Sequence, residues 1–139
     1  MAYSDIQSLL GDEAESLLSH TSTTFDRAHF HMPGPGVVSR YETTDRPIPV
    51  LNNLARLYGT GNLAGTGYLS ILPVDQGVEL SGAASCGPNP AYFEPENIIK
   101  VALEAGCNGV ASTYGVLATY ARRYAHQIPF ICKINHNEL

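Results

Sequence analysis

Apolar positions change their period three times along the chain. In residues 4–19, Ile6, Leu9, Leu10, Ala14, Leu17 and Leu18 recur at helical spacing, and Gly11-Asp12 offers a break. Residues 20–48 lose that period and fill with Thr, Ser, His, Gly and Pro, including His29-Phe-His-Met-Pro-Gly-Pro-Gly36. This is loop chemistry, read as an ordered arm that Phe25, Phe30 and Tyr41 could anchor. Pro49 suits the first turn of a helix whose face is Val50, Leu51, Leu54, Leu57 and Tyr58, and which Gly59 and Gly61 end. The pattern then becomes a short apolar run, Leu69 to Val74, closed by Asp75. A buried parallel strand that delivers a polar side chain at its C-terminal end has this form.

The rest of the chain repeats the idea. Residues 82–92 read as a long loop with Pro88 and Pro90. Glu94-Pro95-Glu96 opens a helix in which Ile98, Ile99, Val101, Ala102 and Ala105 share an arc opposite Lys100 and Glu104. Residues 108–113 form a second strand. Gly115 leads into a helix with Val116, Leu117, Tyr120 and Tyr124 on one side and Arg122 on the other. Residues 129–135 form a third strand. Strands joined by crossover helices make a parallel sheet. Asp75-Gln-Gly77 lacks the GxGxxG pattern of a dinucleotide fold, which favours a (β/α)8 barrel over an open sheet. Three of eight strands are present, so the expected architecture is an incomplete barrel. Residues 1–62 are a helical and loop N-terminal arm, and residues 63–139 are the first three strand–helix units. The chain thus reads as the N-terminal part of a larger protein.

Composition narrows the class. At 139 residues and 44% hydrophobic, the chain can build one core, and its net charge of −5 offers no basic patch for nucleic acid or an anionic membrane. No run reaches membrane-spanning length, and the first residues lack a basic leader pattern. Cys86, Cys107 and Cys132 are scattered outside any CxxC pair, which fits a reduced cytoplasmic protein. His29 and His31, with His136 far away, give a weak metal signal without a third ligand at zinc-like spacing. Gly61 to Gly67 precedes the strand rather than following it, so it reads as an entry turn, not a phosphate cradle.

Chemistry concentrates on few residues. Asp75 at the end of the first strand can orient a substrate hydroxyl or act as acid or base, or it can anchor a loop. Glu79 reads as structural. The lysines are Lys100, on a polar helix face, and Lys133, within the apolar third strand. Alternation places Lys133 with Ile131 and Asn135 on one face. A lysine there suits Schiff-base or proton-transfer work, and the plainer alternative is a structural ion pair.

Four stretches, residues 65–77, 104–107, 111–117 and 133–138, together resemble the class I fructose-bisphosphate aldolases of the archaeal and bacterial type. The likeness covers nearly the whole chain, the N-terminal arm included. It implies a (β/α)8 barrel and reversible, metal-independent cleavage of fructose 1,6-bisphosphate to dihydroxyacetone phosphate and glyceraldehyde 3-phosphate, with no cofactor. The implied partner is the sugar phosphate, and the complete enzyme is expected to be a homo-oligomer. Asp75 matches the family's active-site aspartate, and Gln76 and Asn135 are expected beside the substrate with it. Lys133 matches a supporting lysine rather than the imine-forming one, which lies on a later strand of the family. Leu80 stands where the family often has histidine, so that contact is not carried over. The resemblance predicts that these 139 residues alone have no turnover. The alternatives are a truncated barrel that only binds a sugar phosphate or partner chain, and another Schiff-base barrel aldolase.

Overall fold

The computed structural model describes residues 3–74 and 81–134. The chain falls into two compact units, Met1–Met32 and Pro33–Leu139.

In the first unit, α1 (Tyr3–Leu10) runs through a 3₁₀ turn, Gly11–Glu13, into α2 (Ala14–Leu18). The break falls at Gly11, whose φ of 55° lies in the left-handed region that glycine enters without strain. A second 3₁₀ turn, Arg27–His29, is capped by Asp26, whose carboxylate accepts from the Ala28 N–H at 2.9 Å. Phe25 and Phe30 meet edge to face, with ring centroids 6.2 Å apart.

The second unit opens with a 3₁₀ segment, Pro35–Tyr41, and α3 (Ile48–Tyr58). Pro49 lies in the first turn of α3, as its missing N–H allows. A three-stranded parallel sheet follows, in the order β1 (Ile71–Pro73), β2 (Gly109–Ser112), β3 (Phe130–Cys132). Residues 82–92 are not the featureless loop expected from their prolines. They hold α4 (Gly82–Cys86) and a 3₁₀ turn, Pro90–Phe93. The reason is local: Ala83 and Ala84 favour helix, and Asn89 caps the turn by accepting from the Ala91 N–H at 3.3 Å. The crossover helices are α5 (Pro95–Glu104) and α6 (Tyr114–Tyr124), capped by Glu94 and Thr113.

Core position follows from register. Leu72 pairs with Val110 and Val110 with Phe130, so one face of the sheet presents these three to the helices. There Ile99, Ala102, Val110, Leu117 and Ile128 pack as a buried cluster. On α5 the buried stripe is Ile98, Ile99 and Ala102, whereas Val101 is 38% exposed. The real stripe is therefore narrower than the predicted arc, because a short helix meets a three-stranded sheet along one line.

The opposite face is closed at one end. Gly109 there has no Cβ, and an added one would stand 3.1 Å from Leu57 Cδ1 and 3.4 Å from Ile131 Cδ1. Leu57 of α3 thus covers the N-terminal end of this face. Buried Asn108 fastens it. Its amide donates to the carbonyls of Leu57 at 3.1 Å and Thr60 at 2.6 Å, and its Oδ1 accepts from the Ser70 N–H at 2.9 Å. Gly61, at φ 76°, lies against the turn after α5, where a Cβ would meet the Gly106 oxygen at 2.4 Å. The glycine-rich segment before β1 is thus a close backbone approach.

Candidate active site

The strands end side by side at Val74, Thr113 and Lys133. The β1–β2 ladder stops at the pair Pro73–Ala111, and the β2–β3 ladder at Ser112–Cys132. Three hydrogen bonds extend the order past those limits. The Val74 N–H donates to the Ala111 carbonyl at 2.9 Å, and the Lys133 N–H donates to the Ser112 carbonyl at 2.9 Å. The Ser112 hydroxyl donates to the Val74 carbonyl at 2.6 Å. Lys133 therefore follows β3 rather than lying inside it. Its backbone is held at the sheet edge, and the residue is half-buried. Alternation from Ile131 places it on the face away from the helices, at the end that Leu57 does not cover.

Asp75, Gln76 and Asn135 lie outside the described residues, as do Glu79, Leu80 and His136. Thr113 caps α6 by accepting from the Val116 N–H at 3.5 Å, and Tyr114 after it is 76% exposed. Lys100 pairs with Glu96 at 3.3 Å on the helix surface, as its solvated position predicts. His29 and His31 lie in the first unit. Among the described residues, no group of three His, Cys, Asp or Glu side chains could hold a metal ion. No helix of those residues is long and apolar enough to cross a membrane.

A cavity of about 370 Å³ opens on the other, helix-facing side of the sheet. Leu72, Val74, Ile98 and Val116 line it together with Ser112 and Thr113, and Lys133 does not.

Among the described residues, the carboxylates held below their usual range are Glu94 and Glu96, at the start of α5, where they face α6. The Tyr124 hydroxyl at 2.7 Å and the Arg123 guanidinium at 2.9 Å both donate to Glu96, with Lys100 nearby, and together they hold the Glu96 carboxyl down at about 2. Tyr120 donates to Glu94 and lowers its carboxyl in the same way. The two phenols are raised in return, because their protons are shared with carboxylates. This cluster clasps two helices.

Sequence reasoning named Lys133 and passed over Ser112. A signal was present: Ser112 occupies a strand position two residues from Val110, on the side that packs against helices. A hydroxyl there needs a partner.

Parallel strands joined by crossover helices, with their C-terminal ends side by side, are the arrangement of part of a (β/α)8 barrel. Comparison with known proteins makes the class specific. The model of the DeoC/LacD family aldolases matches residues 69–139, and the chain belongs to that family. Its three parallel strands are part of an incomplete (β/α)8 barrel.

The relatives are more particular. A protein of Chlamydia trachomatis serovar D named "Probable fructose-bisphosphate aldolase class 1" is 54% identical over 132 residues, which is 94% of this chain and 38% of that protein. Proteins of the same name are 52% identical in Chlamydia muridarum and 48% in Chlamydia pneumoniae, over 96% and 97% of this chain and 38% and 39% of theirs. The chain thus spans under two-fifths of the length of these relatives. No solved structure gives a significant match.

Proposed function

We propose that these residues form part of a class I, Schiff-base fructose-bisphosphate aldolase that needs no metal. The complete enzyme would cleave fructose 1,6-bisphosphate to dihydroxyacetone phosphate and glyceraldehyde 3-phosphate in the cytoplasm, as a homo-oligomer. The observation that carries the reading is identity of 48% to 54%, across almost the whole chain, to three relatives bearing that name. The placement of Lys133 at the open strand ends supports it.

The chemistry is covalent. A desolvated lysine amine of the complete enzyme attacks the ketose C2 carbonyl and loses water to give an iminium. A base takes the C4 hydroxyl proton, and the C3–C4 bond breaks, with its electron pair entering the iminium. Glyceraldehyde 3-phosphate leaves. The enamine is protonated at C3 and hydrolysed to dihydroxyacetone phosphate. Asp75 would hold substrate hydroxyls and move protons in the carbinolamine steps. Gln76 and Asn135 would add hydrogen bonds. Lys133 would place positive charge beside the reacting centre without forming the imine.

The test is cleavage of fructose 1,6-bisphosphate by the natural protein in the presence of chelator, with Asp75→Asn beside it. The expected result is full activity in chelator and a kcat lowered about 10²- to 10⁴-fold in the variant. The 139-residue chain made alone is expected to give no turnover. Activity abolished by chelator, or cleavage by the isolated chain, contradicts the proposal. The family match over residues 69–139 names no substrate, which favours one second reading: a Schiff-base aldolase acting on another sugar phosphate. A substrate panel on the same preparation decides it by the ratio of kcat/KM values.

A further inference from the structure

The entry to β2 carries a reactive pair. Asn108-Gly109 is the one asparagine–glycine step in the 139 residues. Asparagine is thermolabile because the backbone nitrogen after it can reach the side-chain amide carbon and close a five-membered ring. Glycine offers that nitrogen with no side chain in the way and with the widest backbone freedom.

In the folded chain both partners are fixed. The Asn108 side chain is wholly buried. Its amide donates to the Leu57 and Thr60 carbonyls, and its oxygen accepts from the Ser70 N–H. Its own N–H donates to the Ser70 carbonyl at 2.7 Å. Gly109 is the first residue of β2, in register with Ile71. Ring closure would have to break the side-chain hydrogen bonds and turn the amide carbon from α3 onto the strand nitrogen.

The product does not suit the same place. Hydrolysis of the ring leaves a carboxylate, which accepts hydrogen bonds but donates none. It would face the two carbonyls that the amide now serves, at a wholly buried position where an unpaired charge is strongly disfavoured. The isoaspartyl form also adds a carbon to the backbone ahead of Gly109. There is no slack for it, since even an added Cβ on Gly109 would stand 3.1 Å from Leu57 Cδ1 and 3.3 Å from the Pro129 oxygen.

We propose that Asn108 is a spontaneous deamidation site that the fold protects and unfolding exposes. A chain left open is thereby marked, and it no longer regains the native junction of α3, β1 and β2. The chemistry needs only water. The Gly109 nitrogen loses its proton to solvent and bonds to Asn108 Cγ. The Cγ–Nδ2 bond breaks, and Nδ2 takes a proton from solvent and leaves as ammonia. Water then opens the ring at Cγ to give an aspartyl residue, or at the backbone carbonyl carbon to give an isoaspartyl one. The marking is independent of aldolase chemistry.

The natural protein is held in mildly alkaline buffer, folded in one sample and in guanidinium chloride in the other. Peptide mapping reads the conversion of amide to acid at position 108. The rate is expected to be at least about a hundredfold lower in the folded protein, because a protected group reacts only while it is open. Comparable rates in the two states overturn the proposal. So does an unfolded chain in which Asn108 converts no faster than Asn62 or Asn97, which have no glycine after them.

On return to native buffer, converted chains should be at least about tenfold depleted from the refolded fraction, since they carry the buried charge. Equal recovery of converted and unconverted chains overturns the marking. Asn108→Asp made directly carries the product without ageing, so the same point is tested even where the unfolded chain recovers poorly. It should melt below Asn108→Ala, because it adds a buried charge to the lost amide. An Asn108→Asp protein that melts with wild type overturns the marking.

Discussion

Asn108 is buried completely and uses every hydrogen-bonding group of its side chain. Both amide hydrogens go to carbonyls that follow or end α3, and the side-chain oxygen takes the N–H just before β1. Removing that side chain leaves the half-buried Leu57 and Thr60 carbonyls and the Ser70 N–H without this partner, and an unpaired buried group costs about 1–3 kcal/mol. Asn108→Ala should therefore destabilise the natural protein by about 1–3 kcal/mol in urea unfolding. A loss below about 1 kcal/mol would mean that water replaces the amide. Nothing in the sequence announced this residue, because an asparagine before a strand reads equally well as a turn. Lys133 drew notice for the opposite reason, a charge that breaks an apolar run, although the run suggested a place inside β3 and the strand ends one residue before it. Ser112 fell between these cases. Its hydroxyl is small enough to pass as a neutral strand position, and its partner is a carbonyl 38 residues away in sequence.

Elements were legible where period and punctuation agreed. Proline and acids at the start of α5, and apolar residues at helical spacing along α6, gave both helices to within a residue or two. The strands came out shorter than the apolar runs that suggested them, since β1 keeps three residues of its run. α4 was hidden because its five residues are small and carry no apolar stripe. The clasp between α5 and α6 could not be read at all, as it needs Glu94 and Glu96 to face Tyr120 and Tyr124 across two helices. It makes a pH prediction. The Glu96 carboxyl titrates at about 2 in the folded protein against 4.5 ordinarily. A depressed acid stabilises the fold above its unfolded value and loses that contribution as pH falls through the folded one. Acid unfolding followed by tyrosine fluorescence should therefore show a transition between about pH 4.5 and pH 2 that Glu96→Gln flattens. An identical acid transition in the variant would show that the clasp does not report on stability.

On the scale of the molecule, the second unit has two unlike sheet faces. The helix-facing side holds the core. The other side is covered by Leu57 at its N-terminal end and presents Lys133 at its C-terminal end. Family membership explains that asymmetry, because barrels of parallel strands work at the C-terminal ends. The central claim is that the activity depends on an imine formed by a lysine other than the two in these 139 residues. Borohydride reduction of the natural protein with dihydroxyacetone phosphate, followed by intact mass and peptide mapping, tests it directly. The account predicts one reduced adduct per chain, on neither Lys100 nor Lys133. A natural protein that traps no adduct, or traps it on Lys133, would contradict it.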